Sequence, residues 1–177
     1  MDINVKVRRF DPEAGRPESF WQEYPVSIDA SATVLDTLLT IRERHDESLA
    51  LRCSCRSAIC GSCAMRINGH AGLACKTKLT SVAQDGGAVT VEPMGNQPVV
   101  RDLVVDIGGF YSKVRAVQPW LQPEGPEPDR ERLTSNEQML HLSGVMDCIM
   151  CGACYSDCTV LEVNPSFLGP AALAKAY

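Results

Sequence analysis

The sequence lacks any long apolar stretch, because no run approaches the ~18 consecutive apolar residues that a membrane-spanning helix needs. It also shows no export signal, since residues 1–10 read as a strand without the apolar core that such signals carry. Basic residues are not in excess: 17 Lys and Arg stand against 22 Asp and Glu, giving a net charge of −5. A nucleic-acid-binding surface requires the opposite balance. We therefore expect a soluble or peripheral chain whose membrane contact, if any, is made through a partner.

The sequence contains no motif for a nucleotide-binding site or for a nucleophilic catalytic site. No G-x-G-x-x-G or P-loop pattern is present, so nucleotides and flavin are expected to bind elsewhere. No nucleophile stands beside a base, so we predict no catalytic residue. Cysteine, by contrast, is abundant, with nine residues in two tight groups. A secreted disulfide scaffold is usually shorter and evenly paired, so this density indicates bound metal.

Periodicity predicts a sheet domain in the first half of the chain. Residues 3–7 alternate apolar and polar side chains, as a half-buried strand does. Residues 11–19, with two prolines and a glycine, are predicted to turn the chain, and residues 21–28 then form a second strand. Thr33 with Asp36 resembles a capping pair that opens a helix. Its apolar face is Val34, Leu35, Leu38, Leu39 and Ile41. Further strands are predicted at 64–67, 73–79 and 88–92, with a turn at Asn68–Gly69.

The second half reads as mainly helical. Helices are predicted at 103–107, 110–117 and 171–176, the last one following Pro170. A proline-rich linker is predicted at 118–129, and residues 134–137 have the T-x-x-E capping pattern. We thus predict an α+β domain over residues 1–97 and an all-α domain over residues 98–177.

The first cysteine group has a recognisable spacing. Cys55-x4-Cys60-x2-Cys63, followed by Cys75, is the plant-type [2Fe–2S] pattern. Inward-turned amides of such a loop can donate hydrogen bonds to the sulfurs. A zinc site is the main alternative, but zinc ligands tend to come as paired C-x2-C units, and only Cys60 and Cys63 form one. Cys53 lies outside the pattern and is interpreted as a small loop residue.

The second group is Cys148-x2-Cys151-x2-Cys154-x3-Cys158, the run of bacterial-type ferredoxins, in which the fourth cysteine serves a different cluster. One helical turn would hold the first three thiolates against a cubane. Completing both clusters needs more thiolates than the sequence supplies. We therefore expect the chain to lack a C-terminal segment with about three more cysteines.

Both groups resemble the iron–sulfur subunit of succinate dehydrogenase and fumarate reductase. The first cluster loop of that family is similar to C-R-S-A-I-C-G-S-C-A-M at 55–65, with N-G at 68–69 and L-A-C at 73–75. The second is similar to C-I-M-C-G-A-C-Y-S-D-C at 148–158, followed by N-P and F-L-G-P-A-A. The resemblance covers essentially the whole chain in the right order.

The resemblance implies a β-grasp ferredoxin domain followed by an α-helical ferredoxin domain. It also implies a path for electrons from the FAD of a flavoprotein subunit through [2Fe–2S], [4Fe–4S] and [3Fe–4S] clusters to a quinone at a membrane anchor. Cys148, Cys151 and Cys154 would then bind the [4Fe–4S] cluster and Cys158 the [3Fe–4S] cluster. The location implied is peripheral, on the cytoplasmic face of the inner membrane.

The chain departs from the family after its last cysteine. Thr159 stands where proline is common, and Glu162 and Val163 stand where many ubiquinone-linked members carry a tryptophan pair. Neither replacement supplies an indole donor for a quinone carbonyl. Menaquinone, or a different anchor arrangement, fits equally well. Two other functions stay open on sequence alone: the electron-transfer subunit of a glycolate-oxidase-like or heterodisulfide-reductase-like complex, and a zinc-stabilised adaptor.

Overall fold

The computed structural model describes residues 1–13, 18–123 and 125–177. Its main element is a five-stranded sheet whose strands lie in the order β2-β1-β5-β3-β4. Their bounds are β1 Asp2–Arg9, β2 Phe20–Ser27, β3 Ala64–Ile67, β4 His70–Leu73 and β5 Ala88–Glu92. β1 and β2 form the predicted antiparallel pair, while β1 and β5 run parallel, with Val5 opposite Val89.

The helix α1 (Val34–Arg44) supplies much of the core of this sheet domain. It begins with the predicted capping box: the Asp36 amide donates to Thr33 Oγ1 at 3.2 Å, and the Thr33 amide donates to Asp36 Oδ2 at 2.9 Å. Its predicted apolar face is buried together with the inward residues of β1 and β5. A mixed sheet with one helix in its core is the β-grasp arrangement, so the predicted α+β fold of the first half is confirmed.

Two predicted elements are wrong. The strand expected at 73–79 ends at Leu73, because the amides of Lys76 and Thr77 both donate to the Leu73 carbonyl and close a turn. A short helix, α2 (Leu79–Val82), follows. The helix expected at 103–107 is instead part of a small hairpin of β6 (Val99–Arg101) and β7 (Val104–Val105). β-Branched valines favour extended backbone, so they favour a strand over the predicted helix at this place.

After the β6–β7 hairpin, which the predicted all-α domain did not include, the regular elements are helices, as predicted, but they are short. They are α3 Gly108–Ala116, α4 Asn136–His141, α5 Ala153–Ser156, α6 Thr159–Val163 and α7 Pro170–Ala176. The cap of α4 differs from the prediction by one residue, since Ser135 pairs with Gln138 rather than Thr134 with Glu137. A second hydrophobic core joins α3 to the region after the last cysteines through Phe110, Tyr155 and Leu161. The domain boundary between residues 97 and 98 stays a prediction.

Two predicted connections fall partly outside the described residues. The turn expected at 11–19 includes residues 14–17, and the linker expected at 118–129 includes residue 124; these residues lie outside the described ranges. The described rest of the linker is exposed irregular backbone.

A buried ionic network ties the sheet to the chain that leads into the first cysteine group. Arg9 and Asp102 are 5% and 1% exposed, and Arg9 Nε donates to Asp102 Oδ1 at 2.8 Å. Asp102 Oδ2 accepts the Ala50 amide at 2.8 Å. Arg9 also donates to Asp46. Although burial opposes ionisation, hydrogen bonds from Ser48, Tyr24 and Arg9 hold the pKa of Asp46 well below its usual range.

This network predicts that Asp102→Asn destabilises the fold strongly. Both carboxylate oxygens of Asp102 accept hydrogen bonds, from Arg9 and from two backbone amides. In the asparagine variant, the NH₂ group would face one of these N–H donors instead of an acceptor. The variant would also lack the negative charge that neutralises Arg9. Asparagine tolerates the positive φ of residue 102, so backbone strain does not confound the result. The free energy of unfolding should fall by about 3 kcal/mol or more in urea titration.

Glu23→Gln is the matched control, because Glu23 forms an exposed ion pair with Lys6. The loss of this exposed ion pair should leave the midpoint of the urea titration almost unchanged. Similar small losses in both variants would contradict the structural role of Asp102.

Candidate metal centres

The first cysteine group lies on a loop and beside the two strands that follow it. Cys55 and Cys60 are exposed on the loop, Cys63 is buried immediately before β3, and Cys75 follows β4. The Ala74 amide donates to the Cys63 carbonyl at 3.1 Å, which fixes Cys75 beside Cys63. The loop and the β3–β4 hairpin therefore bring all four predicted ligands into one neighbourhood.

Backbone amides of the loop point at the sulfur atoms. The amides of Ser57, Ile59 and Cys60 donate to Cys55 Sγ at 3.3, 3.4 and 3.3 Å. The Ala58 amide donates to Cys75 Sγ at 3.3 Å. This is the inward-turned arrangement expected from the sequence, and it supplies donors for the negative charge on thiolate sulfur.

Left-handed backbone conformations in the loop turn its amides toward the sulfur atoms. Arg56 and Ala58 have φ of 56° and 58°, a region that residues with a side chain seldom occupy. Such conformations cost on the order of 1 kcal/mol each and persist where the surroundings enforce them. Alternating left-handed residues let successive amides turn to the same side of the loop. The strain therefore marks the part of the loop that faces the sulfurs.

The thiols of the group differ in acidity. The Ser62 hydroxyl, 3.1 Å from Cys60 Sγ, together with hydrogen bonds involving Cys55, lowers the pKa of Cys60 to about 6. Burial raises the pKa of Cys63 to about 11, and the neighbouring Cys75 and Cys60 thiols add to this rise. A buried thiolate at Cys63 consequently needs positive charge next to it, which a metal ion provides.

The hydrogen bonds between these thiols run in pairs, Cys60 with Cys55 and Cys63 with Cys75, while Cys60 also acts on Cys63 through its charge. Among residues 1–13, 18–123 and 125–177, no three His, Cys, Asp or Glu side chains converge as ligands of a single ion. A binuclear cluster takes two protein thiolates per iron, so its ligands need not converge on one point. The fifth cysteine of this region, Cys53, is half-buried and packs against the hydrophobic core of the sheet domain.

The second group takes a different form from the predicted helical turn. Cys148 and Cys151 lie in irregular backbone, Cys154 lies in α5, and Cys158 precedes α6 as its N-cap. Positive φ values of 59° at Met150 and 78° at Gly152 interrupt the helix. Burial raises the pKa of Cys154, and the nearby Cys151 and Cys148 thiols contribute to this rise, so these three thiols are neighbours even though Cys154 keeps some exposed surface.

The two groups touch at Gly61. A Cβ atom added to Gly61 would lie 2.7 Å from Cys151 Cβ and 2.8 Å from Cys151 Cα, and the residue has φ of +71°. Only glycine fits both conditions. Since Gly61 follows Cys60 directly, the Cα atoms of Cys60 and Cys151 are on the order of 8 Å apart or less.

Polar contacts hold the second group against the sheet domain. Asn96 Nδ2 donates to the carbonyls of Tyr155, Ser156 and Cys158 at 2.9, 3.2 and 3.0 Å. The Gly95 amide donates to Ser156 Oγ at 2.9 Å, and Asp157 accepts the Ala71 amide at 2.7 Å. Sequence reasoning missed Asn96, although a Gly–Asn pair after a strand is a turn signal.

A cavity of about 210 Å³ lies between the two groups. Its lining includes Arg52, Cys60, Met94, Tyr111 and Cys151. The Arg52 guanidinium donates to the Val105 carbonyl at 2.9 Å, which connects the start of the cysteine loop to β7.

Comparison with known proteins decides the family. A family model described as "2Fe-2S iron-sulfur cluster binding domain" matches residues 4–112. The chain is 43% identical over 174 residues to the fumarate reductase iron-sulfur subunit of Mycobacterium tuberculosis, covering 97% of this chain and 69% of that protein. It is 40% identical over 174 residues to the mitochondrial succinate dehydrogenase [ubiquinone] iron-sulfur subunit 1 of Oryza sativa subsp. japonica, covering 96% of this chain and 61% of that protein.

The chain belongs to the family of succinate dehydrogenase and fumarate reductase iron–sulfur subunits. A solved structure, the Mycobacterium smegmatis Sdh1 complex in the apo form, contains a chain that matches with a TM-score of 0.84 and 29% identity. The match covers 96% of this chain and 70% of that one. The resemblance inferred from the cysteine spacing is thereby confirmed, as is the [2Fe–2S] ferredoxin-like domain followed by a helical region.

Within this family member, none of the described helices is both long and apolar enough to cross a membrane. The chain spans 61% of the length of the Oryza sativa relative and 69% of the Mycobacterium tuberculosis one.

The contact at Gly61 predicts that Gly61→Ala separates the two cysteine groups. Gly69→Ala is the matched control, because Gly69 also has positive φ, +82°, but meets no atom within 4 Å of an added Cβ. Both variants carry left-handed strain of about 1–2 kcal/mol. Gly61→Ala should lose a further 1–3 kcal/mol, roughly, from overpacking in urea titration and should retain less iron per chain. Equal stability and equal iron content in the two variants would show that the contact at Gly61 does not matter.

Proposed function

We propose that this protein is an electron-transfer iron–sulfur subunit of a succinate:quinone oxidoreductase and holds a [2Fe–2S] cluster on Cys55, Cys60, Cys63 and Cys75. The observation that carries the proposal is the loop in which four backbone amides donate to the sulfurs of Cys55 and Cys75. Family membership and the matched [2Fe–2S] domain support it independently.

The residues present fit this cluster. Thiolate ligands suit iron–sulfur clusters, and the set offers two interacting pairs, one for each iron. The cluster supplies one-electron redox chemistry. The protein fixes its position, excludes water on the buried Cys63 side and stabilises negative charge through the inward amides. No residue of the chain is assigned a role in making or breaking bonds of the substrate.

The second cysteine group extends the proposal. Cys148, Cys151 and Cys154, which lie close together, would hold a [4Fe–4S] cluster, and Cys158 would serve a [3Fe–4S] cluster. The contact of Gly61 with Cys151 supports a short electron path between the first and second clusters. Asn96 contributes by holding the 155–158 backbone against the sheet domain.

The partners proposed are a flavoprotein subunit with FAD, which handles succinate and fumarate, and a membrane anchor with a quinone, which places this chain peripherally on the cytoplasmic face of the inner membrane. The similar proteins include both succinate dehydrogenase and fumarate reductase subunits, so the proposal covers either direction of electron flow. Glu162 and Val163 are exposed on α6 and offer no indole, so the proposal does not specify ubiquinone.

Anaerobic reconstitution with iron and sulfide tests the cluster. The protein should become brown-red and, after dithionite reduction, show a rhombic S = 1/2 resonance. A colourless protein that binds zinc with higher occupancy than iron would refute the proposal. Copurification with a flavoprotein and a membrane anchor from native membranes tests the partners separately.

The ligand assignment makes a sharper prediction. Cys60→Ser should abolish or strongly shift the [2Fe–2S] resonance, because an oxygen ligand replaces a thiolate. Cys53→Ser is the matched control, since Cys53 lies two residues before Cys55 and packs against the core instead of receiving the loop amides. It should leave the resonance and the iron content unchanged. Loss of the signal in both variants would overturn the assignment.

A further inference from the structure

The side chain of Gln97 ends in a buried amide with no partner. Neither Nε2 nor Oε1 has a hydrogen-bond partner among the described residues, and both atoms are enclosed. Burying an amide without a hydrogen-bond partner destabilises a folded protein. Most buried polar side-chain atoms in folded proteins have a partner, so an orphaned amide next to a proposed cofactor site requires an explanation.

The amide lies against the second cysteine group. Gln97 Nε2 is 3.3 Å from the point that a Cβ atom on Gly152 would occupy, and Met94 Cε and Ile107 Cδ1 lie close to the same point. Gly152 stands between Cys151 and the start of α5, which carries Cys154. Because Gly152 has no side chain, the Gln97 amide approaches the backbone that links two of the three neighbouring thiols.

Polar groups of the adjoining backbone are already engaged. The Gly152 carbonyl accepts the amides of Tyr155 and Ser156 at 3.0 and 2.9 Å. The carbonyls of Tyr155, Ser156 and Cys158 accept from Asn96. Met94 Cε and Ile107 Cδ1, which lie 3.7 and 3.9 Å from the same point beside Gly152, are apolar atoms. Among the described residues, the Gln97 NH₂ group thus has no acceptor.

We propose that Gln97 is a positioning and tuning residue that donates a hydrogen bond to a sulfur atom of the cluster held by Cys148, Cys151 and Cys154. The inference rests on the proposed function of that cysteine group. Cluster sulfurs and thiolates are acceptors, and an anionic cluster selects the donor end of an amide. The apolar surroundings strengthen such a bond, because the local dielectric constant is low.

The consequence is electrochemical. Hydrogen bonds to cluster sulfurs stabilise the more negative, reduced state and raise the reduction potential. When the cluster gains one electron, the Gln97 N–H group meets a larger negative charge and binds it more strongly. Removing the donor should therefore favour the oxidised state without removing any iron ligand.

Gln97→Met tests the proposal in the natively assembled protein isolated with its copurifying subunits. Methionine keeps the unbranched shape but has no N–H donor. The one-electron reduction equilibrium of the [4Fe–4S] cluster should shift about tenfold toward the oxidised state, which is about 59 mV in an EPR-monitored redox titration. The [2Fe–2S] potential of the same sample should not move. Gln97→Asn, which withdraws the amide by one methylene group, should shift the [4Fe–4S] equilibrium in the same direction.

Gln122→Met is the matched control, because Gln122 is exposed and bonds locally to Gln118. It should leave both potentials unchanged. An unchanged [4Fe–4S] potential in Gln97→Met, with full cluster content, would overturn the role of Gln97 while leaving the proposed function intact. Equal shifts of both clusters would also overturn it, since they indicate a general structural change. Absence of any [4Fe–4S] signal in the unsubstituted protein would refute the assignment of the second cluster itself.

Discussion

The hydrogen bonds from one short loop to the sulfur of Cys55 are the interaction on which the rest of the structure depends. Three backbone amides within four residues reach a single sulfur atom, and this requires left-handed backbone at Arg56 and Ala58. A loop in that conformation is strained and exposed, so it would not keep this conformation without contacts from the rest of the domain. Its two ends must be fixed by the surrounding domain, and much of the sheet domain serves that purpose.

Both ends of the loop are fixed by contacts with distant parts of the chain. At the entrance, Asp102 holds the Ala50 amide and neutralises the buried Arg9, so an ionic network links β1 to the start of the loop. At the exit, β3 begins directly after Cys63, and its pairing with β4 delivers Cys75. Burying the charge of Arg9 is unfavourable in itself. It is offset because the Asp102 carboxylate accepts hydrogen bonds from Arg9 and from two backbone amides, and because Asp46 adds a second carboxylate. Stability and cluster geometry are thereby coupled through the same residues.

The predictability of the fold and site follows from the range of the interactions. Local signals sufficed where the chain decides its own conformation: the Thr33–Asp36 capping box, the alternation in β1 and the cysteine spacing all led to confirmed elements or to the confirmed family. Prediction failed at 73–79 and 103–107, where backbone hydrogen bonds with distant residues add to local turns and strand propensity: the Leu35 amide donates to the Ala74 carbonyl, and the Leu103 amide donates to the Ala50 carbonyl. No sequence signal connects Gly61 with Cys151, because their approach exists only once the sheet and the helical region have packed together.

The helical region depends on this approach more than the sheet domain does. Its helices α4 to α7 have four to seven residues each, whereas isolated helices shorter than about 12–15 residues are marginal in water. A small core around Phe110 and Tyr155 and a few polar contacts, those of Asn96 among them, hold the segment that carries Cys154 and Cys158. Metal ligation couples to folding where a ligand set is not otherwise rigid. The unpartnered amide of Gln97 and the close contact at Gly61 both lie where polypeptide contacts bring the second cysteine group to the first, and the proposed clusters would complete the order of that group.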